Sequence, residues 1–401
     1  MTLLYKTTPD HDRGFSLVEL MVAVVIGLIG TMVMFQIFAV SEGQKRTTIS
    51  GGDAQQNGAI ALFTIEQDVR NAADGQRALI SQGQPLYIWN ENLNAAQDEV
   101  VFRPVLITPG LTSDAIDVNY STNHGLTVPV PLLNSWASNT SPINPISLIN
   151  IAGIRNGDRM AICPNLLLVP NSVCVLGEVT NVGAGNQVFF AAPPANYVDD
   201  DGQARTAQNN PTNGFQAALN PAVTADGMTL PTTFAADGTP AMAVAYNLGN
   251  GVARRYDVLN GQLRLTENGA PTDFADGVVS IRAQYGLDTD NDTDVDVWVN
   301  PRGVEALAVA SFTPDDPNFL IGTPQQVAQS WLAVKAIRVA IVTRSGNYEK
   351  EIVAEPTIAL WTNPAGNPVP GPSYDVPVGD ARHYRYNVFE SIVPMRNMIF
   401  Q

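Results

Sequence analysis

Nine consecutive residues, Asp288-Thr289-Asp290-Asn291-Asp292-Thr293-Asp294-Val295-Asp296, set five carboxylates at alternate positions. Counted from Asp288 as the first place of an EF-hand-like loop, Asp290, Asp292 and Asp296 fall at the third, fifth and ninth ligand places, an oxygen-rich set suited to Ca²⁺. Thr293 stands where such a loop uses Gly, and Val299 where it uses a bidentate Glu. The competing reading is an acidic turn between a strand ending at Tyr285 and one starting near Val295, its like charges solvated or bridged by a cation. The second chemical pair is Cys163 and Cys174, the only cysteines in the chain. Ten residues separate them, with apolar runs on either side. In an exported domain they read as a disulfide, against two buried thiols, and without a CxxC they do not suggest redox work. The third residue is Glu19, a lone carboxylate inside an apolar stretch. On insertion scales it costs on the order of 2.5–3.5 kcal/mol there, so it needs a cation or a place at headgroup depth.

These groups do not add up to an enzyme. His11, His124 and His383 sit in no Ser/His/Asp, Cys/His or metal-ligand pattern. Neither a G-x-S-x-G nor a phosphate-binding loop occurs, and nothing singles out two of the 38 acids for glycoside chemistry. A net charge of −16 without a basic block longer than Lys45-Arg46 or Arg254-Arg255 disfavours nucleic acid as a partner. With 45% hydrophobic residues the chain can fold around a sizeable core, as one large domain or two smaller ones.

Glu19 belongs to an element that can be read directly. From Leu20 to Phe35 the sequence is LMVAVVIGLIGTMVMF, with Thr31 as its one polar side chain. Phe15 to Val40 spans 26 residues, about 39 Å of helix at ~1.5 Å per residue, which is enough to cross a bilayer core. It is too long for a cleaved secretory signal, and no A-x-A-like site follows it. Lys6 and Arg13 on one side balance Lys45 and Arg46 on the other, so the flanking charges do not orient it. The string Arg13-Gly14-Phe15-Ser16-Leu17-Val18-Glu19-Leu20-Met21-Val22 resembles the class III signal of type IV prepilins and type II secretion pseudopilins. That resemblance implies cleavage by a prepilin peptidase after Gly14, N-methylation of Phe15, and Glu19 as the carboxylate that meets a neighbouring subunit's N-terminal amine during assembly. A new α-amine is the cation that Glu19 otherwise lacks.

Beyond the span, Ser50-Gly51-Gly52 should weaken the helix, and Asp53 with Gln56 three later fits a capping box that restarts it. Gly58, Ala61, Leu62, Ile65, Val69 and Ala72 then form one helical stripe, Glu66 and Arg70 pair at i, i+4, and Asp74-Gly75 ends the helix. After residue 75 the period becomes two. Val279, Ile281, Ala283 and Tyr285 alternate with polar residues as in a half-buried antiparallel strand; Leu263 and Leu265 do likewise after the Asn260-Gly261 hairpin signal, and Ile337, Val339 and Ile341 make another strand. Apolar runs at 100–107, 146–151, 160–163, 173–179 and 188–191 fit further strands. Residues 193–240, rich in Ala, Asn, Thr, Gly, Pro and Asp, read as a long loop or insertion.

The blocks Ala275 to Asn300, Trp331 to Ser345 and Tyr384 to Asn397 resemble the carboxyl region of the PilW family of minor pilins. The two resemblances imply an α+β, pilin-like fold: a leader at 1–14, a membrane-spanning then amphipathic helix at 15–74, and a large β-rich antiparallel head at 75–401. They further imply a minor pilin anchored in the inner membrane with a periplasmic head, which joins other minor pilins and the major pilin through its helix, initiates the fibre and ends at its tip. Twitching motility, surface attachment and docking of a tip adhesin belong to the same implication. A J-like minor pseudopilin of type II secretion is the alternative.

Overall fold

The computed structural model describes residues 16–74, 103–121, 129–132, 145–163, 174–191, 195–207, 210, 244–267, 269–288, 290, 292–301, 331–361 and 372–399, and the backbone of the strands Leu86–Asn90 and Ala95–Val100. Two compact units divide the chain after Asp53.

One helix, α1, runs from Leu17 to Asn71. Ser16 caps it, its Oγ accepting the Glu19 N–H at 3.2 Å, so Ser16 and Glu19 stand at the two key places of a Ser-x-x-Glu capping sequence. The expected break at Ser50-Gly51-Gly52 is absent, and Asp53 and Gln56 are mid-helix residues rather than a second cap. Each Gly costs only about 1 kcal/mol in a helix interior, and propagation through long flanking helix is favourable, so the weak triplet does not interrupt it. Near its end α1 buries Ala54, Gly58, Ala61, Ile65, Asp68 and Val69, the expected stripe with one addition that is not apolar. The helix stops where Ala73 turns left-handed (φ 64°). There the Asn397 side-chain amide donates to the carbonyls of Ala72 (3.0 Å) and Asn71 (3.4 Å), the second of which also takes the Asp74 N–H at 3.1 Å.

The second unit is β-rich. A five-stranded antiparallel sheet runs in the order Ala270–Asp276, Gln262–Glu267, Gly251–Leu259, Ala115–Ser121, Val105–Thr108. A four-stranded antiparallel sheet has the order Val297–Val299, Val278–Leu287, Val334–Arg344, Tyr386–Pro394. Inward residues of both sheets close one core with Ala61, Ile65 and Val69 of α1; Tyr256, Ile116, Tyr285, Ile337 and Ile341 lie in it. The hairpin at Asn260-Gly261 forms as expected, with both residues at positive φ (52° and 76°).

Strand Val278–Leu287 departs from the half-buried expectation. Ser280 and Gln284 are buried, and a bulge between Val278 and Ser280 turns Val279 toward the opposite layer. The same sheet is covered on its second face, where Ala340 and Val342 pack against Ala354, Leu360, Tyr374 and Val376. Ten consecutive residues of Val334–Arg344 are therefore buried. Among them is Arg338, whose guanidinium lies 4.7 Å from the ring centroids of both Trp298 and Trp361.

A third sheet orders its strands Ala95–Val100, Leu86–Asn90, Cys174–Glu178, Arg159–Cys163, Val244–Gly249, Val130–Pro131. The Leu86–Asn90/Cys174–Glu178 pair is parallel, an exception to the expected antiparallel head. Part of the expected loop at 193–240 is a hairpin, Asn196–Val198 with Ala204–Thr206, whose turn is held by Asp199 through the Gln203 N–H (2.7 Å) and Arg205 Nε (2.9 Å). Most of the remaining insertion lies outside the described residues.

Candidate functional site

The site with the clearest chemistry is α1 itself. From Leu17 to Val40 its large apolar side chains are exposed, from 47% at Val33 to 76% at Leu17, so that among the described residues this segment is uncovered. Thr31, one of three polar residues in this segment with Glu19 and Gln36, returns its hydroxyl to the Leu28 carbonyl at 2.8 Å, so that hydroxyl is satisfied within the helix. Polar side chains take over at Glu42, whose carboxylate meets Arg46 Nε one turn later at 3.2 Å. An apolar cylinder of this length needs lipid or other apolar helices around it. Glu19 lies in its first turn. Among the described residues Glu19 forms no ion pair. Gly14 and Phe15, the expected cleavage and methylation positions, lie outside the described residues, as does the leader.

A second carboxylate on α1 was not singled out in the sequence. Asp68, 2% exposed, takes Arg254 Nη1 on both oxygens (2.9 and 3.2 Å), the Tyr120 hydroxyl at 3.2 Å and the Tyr256 hydroxyl in a short hydrogen bond. Arg254 and Tyr256 are two residues apart on one strand and so share a face, while Tyr120 comes from the adjacent strand, opposite Val252. Arg254 also reaches Glu267 through Nε at 2.8 Å. Burial, then the charge of Asp68, pushes the Tyr120 phenol up to about 12. Burial and the Asp68 hydrogen bond drive Tyr256 up further. Both hydroxyls are therefore donors at neutral pH, as an ionised carboxylate requires. The arrangement fastens the amphipathic end of α1 to the five-stranded sheet. Two signals for it exist in the sequence: an acid at the i+3 place of the stripe from Ile65, and the Arg-x-Tyr alternation just before Asn260-Gly261.

Cys163 and Cys174 are joined, as the loop spacing suggested. They end adjacent antiparallel strands, their Cα atoms are 4.3 Å apart and both are buried. Closing a loop of this size restricts the unfolded chain by about 3 kcal/mol in the chain-entropy picture.

In the acidic run, Asp288, Asp290 and Asp296 bring carboxylate oxygens within 4.8 Å of one another, while Asp292 is not in that group. The Asp292 Oδ1 instead accepts the Asp294 N–H at 2.9 Å. Although Asp290 is exposed, partial desolvation and then the charges of Asp292 and Asp296 raise its carboxyl above the ordinary range. Thr293, at the sixth place, holds the φ of 79° that a glycine would adopt freely. Val299, at the twelfth, is a core residue of a strand, paired with Tyr285, and offers no ligand. The buried Lys335 ammonium lies 3.4 Å from Asp288 Oδ2.

Two family matches bear on these sites. Residues 10–35 match the prokaryotic N-terminal methylation motif, which takes in Gly14, Phe15 and Glu19. Residues 245–397 match a family described as type IV pilus-assembly protein W. That second match contains the four-stranded sheet, the acidic run, and Arg254 and Tyr256 of the Asp68 cluster. Comparison with curated proteins and with solved structures returns no match.

Proposed function

We propose that this chain, whose two family matches support a type IV pilin of the PilW family, works as a minor pilin that starts pilus assembly and remains at the fibre tip. The observation that carries the proposal is the pairing of a methylation-type N-terminus with an apolar helix whose side chains are exposed among the described residues. In this reading a prepilin peptidase cuts after Gly14, Phe15 becomes the N-methylated terminus, and the span holds the subunit in the inner membrane with its head in the periplasm.

The mechanism is non-covalent. The span leaves lipid for the company of the corresponding helices of other minor pilins and the major pilin, exchanging one apolar environment for another. Glu19 meets a neighbour's terminal amine; at such depth two opposite charges attract far more strongly than in water, so the pair fixes the register of otherwise featureless apolar cylinders. The Asp68 cluster and the core beneath it keep the head attached to the helix that is handed over. In this reading the role is architectural.

The test is N-terminal peptide mass spectrometry on sheared surface fibres and on membranes. A peptide beginning at N-methylated Phe15 in the fibre fraction is the expected result. The same peptide confined to membranes moves the protein to a secretion pseudopilus, and an uncut leader in every fraction overturns the proposal.

A further inference from the structure

The assembly reading leaves one buried pair unused. Lys335, near the start of strand Val334–Arg344, and Asp288, just after strand Val278–Leu287, are each 2% exposed, with Nζ 3.4 Å from Oδ2. The same Oδ2 accepts the Thr293 N–H at 3.0 Å, and the backbone on either side is tied by Asp288 N–H to Ala333 O and Asp296 N–H to Leu287 O, both at 2.9 Å. The Asp288 carboxylate is thus held by the loop's backbone on one side and by the sheet's ammonium on the other. We propose that Lys335 is the resident cation of the acidic loop, so that the loop closes on a charge supplied by the chain itself and needs no metal ion.

Three observations lead there. Of the three carboxylates that cluster, only Asp288 is buried; Asp290 and Asp296 are exposed, where water solvates both charges. The charge that must be neutralised by something other than water is therefore the one that Lys335 faces. The ligand set for a divalent ion is short by its strongest member, because the twelfth place carries the core side chain of Val299. Finally, Lys335 follows fully buried Val334 and precedes buried Ala336 on a strand covered on both faces. An ammonium in such a place is costly unless a carboxylate meets it.

The test uses the full-length chain in detergent, melted with Ca²⁺ and with a chelator. The wild-type Tm should be the same in both. Lys335→Met should lower the Tm by several degrees, and Ca²⁺ should recover part of the loss by neutralising the stranded Asp288. Because that variant leaves a buried carboxylate without its ammonium, the double variant Asp288→Asn with Lys335→Met provides the control: it should melt closer to wild type and ignore Ca²⁺. A wild-type Tm that rises with Ca²⁺ would show that a metal is the loop's cation and overturn the proposal. So would a Lys335→Met protein that melts like wild type, one that Ca²⁺ leaves unrecovered, or a double variant no more stable than the single.

Discussion

The two ends of α1 each carry one acid in a surface that is otherwise apolar, and the two acids are treated in opposite ways. Asp68 is saturated within its own chain by an arginine and two phenols. Glu19 stands in an exposed first turn where the described residues supply a helix cap to its N–H and no cation to its carboxylate. A carboxylate satisfied internally is a fastening. One left in apolar surroundings with its charge unmet is a demand on a partner. The contrast separates what α1 does for its own head from what it offers to other subunits.

The strongest way to sharpen that contrast is to delete each acid in turn. Asp68→Ala leaves the Arg254 guanidinium with Glu267 as its remaining acid and takes the acceptor from the buried Tyr256 and half-buried Tyr120 hydroxyls, a loss bounded by the about 3–5 kcal/mol that removing one member of a buried charged pair costs. Urea denaturation of the full chain in detergent should show that loss as a lower midpoint. Glu19→Ala should leave the midpoint, the processing and the membrane insertion as they are, yet reduce the number of surface fibres. A Glu19→Ala strain with normal piliation, or an Asp68→Ala protein as stable as wild type, would erase the distinction.

Alkali should loosen the head through the same cluster. Tyr120 and Tyr256 have phenols raised above the ordinary value of about 10, mainly by burial and then by Asp68. The folded state therefore keeps protons that the unfolded state gives up. The stability this contributes is intact below the unfolded value and is lost as pH rises through about 12 at Tyr120, and higher at Tyr256. The Tm of wild type should fall across this window, and more steeply than that of a Tyr120→Phe, Tyr256→Phe variant. Equal slopes would mean that other tyrosines govern the response.

How much of this was legible depends on the range of the signal. The span, the stripe from Gly58 to Ala72 and the Asn260-Gly261 hairpin are written in neighbouring residues, and each is where its spacing put it. Asp68 was missed because Arg254, Tyr120 and Tyr256 come from strands distant in sequence, and a stripe drawn from apolar residues alone passes over an acid. Val279 went to the wrong layer because a single-residue bulge reverses the period of two. Arg338 reads as the polar face of a strand, yet two tryptophans from other segments cover it. The acidic run was legible as an unusual cluster, but not its cation, since Lys335 is brought to Asp288 by the pairing of two strands.

The smallest effects concern glycines, and they carry the comparison of the two ends of α1 down to single methyl groups. At Gly58 an added Cβ would overlap the Phe389 ring, so the glycine is there to let helix and sheet approach. At Gly52 none of the described residues lies near enough to meet a Cβ. Gly58→Ala should therefore cost about 1–3 kcal/mol through overpacking, whereas Gly52→Ala should gain up to about 1 kcal/mol through helix propensity. The same substitution would then move stability in opposite directions within one helix, measured by the same urea titration. If Gly52→Ala raises helix stability but fibre numbers fall, the weakness of that triplet serves assembly, because packing gives no reason for a glycine there. If fibre numbers hold, the open glycine is tolerated slack, and Glu19 remains the feature of the exposed end on which assembly depends.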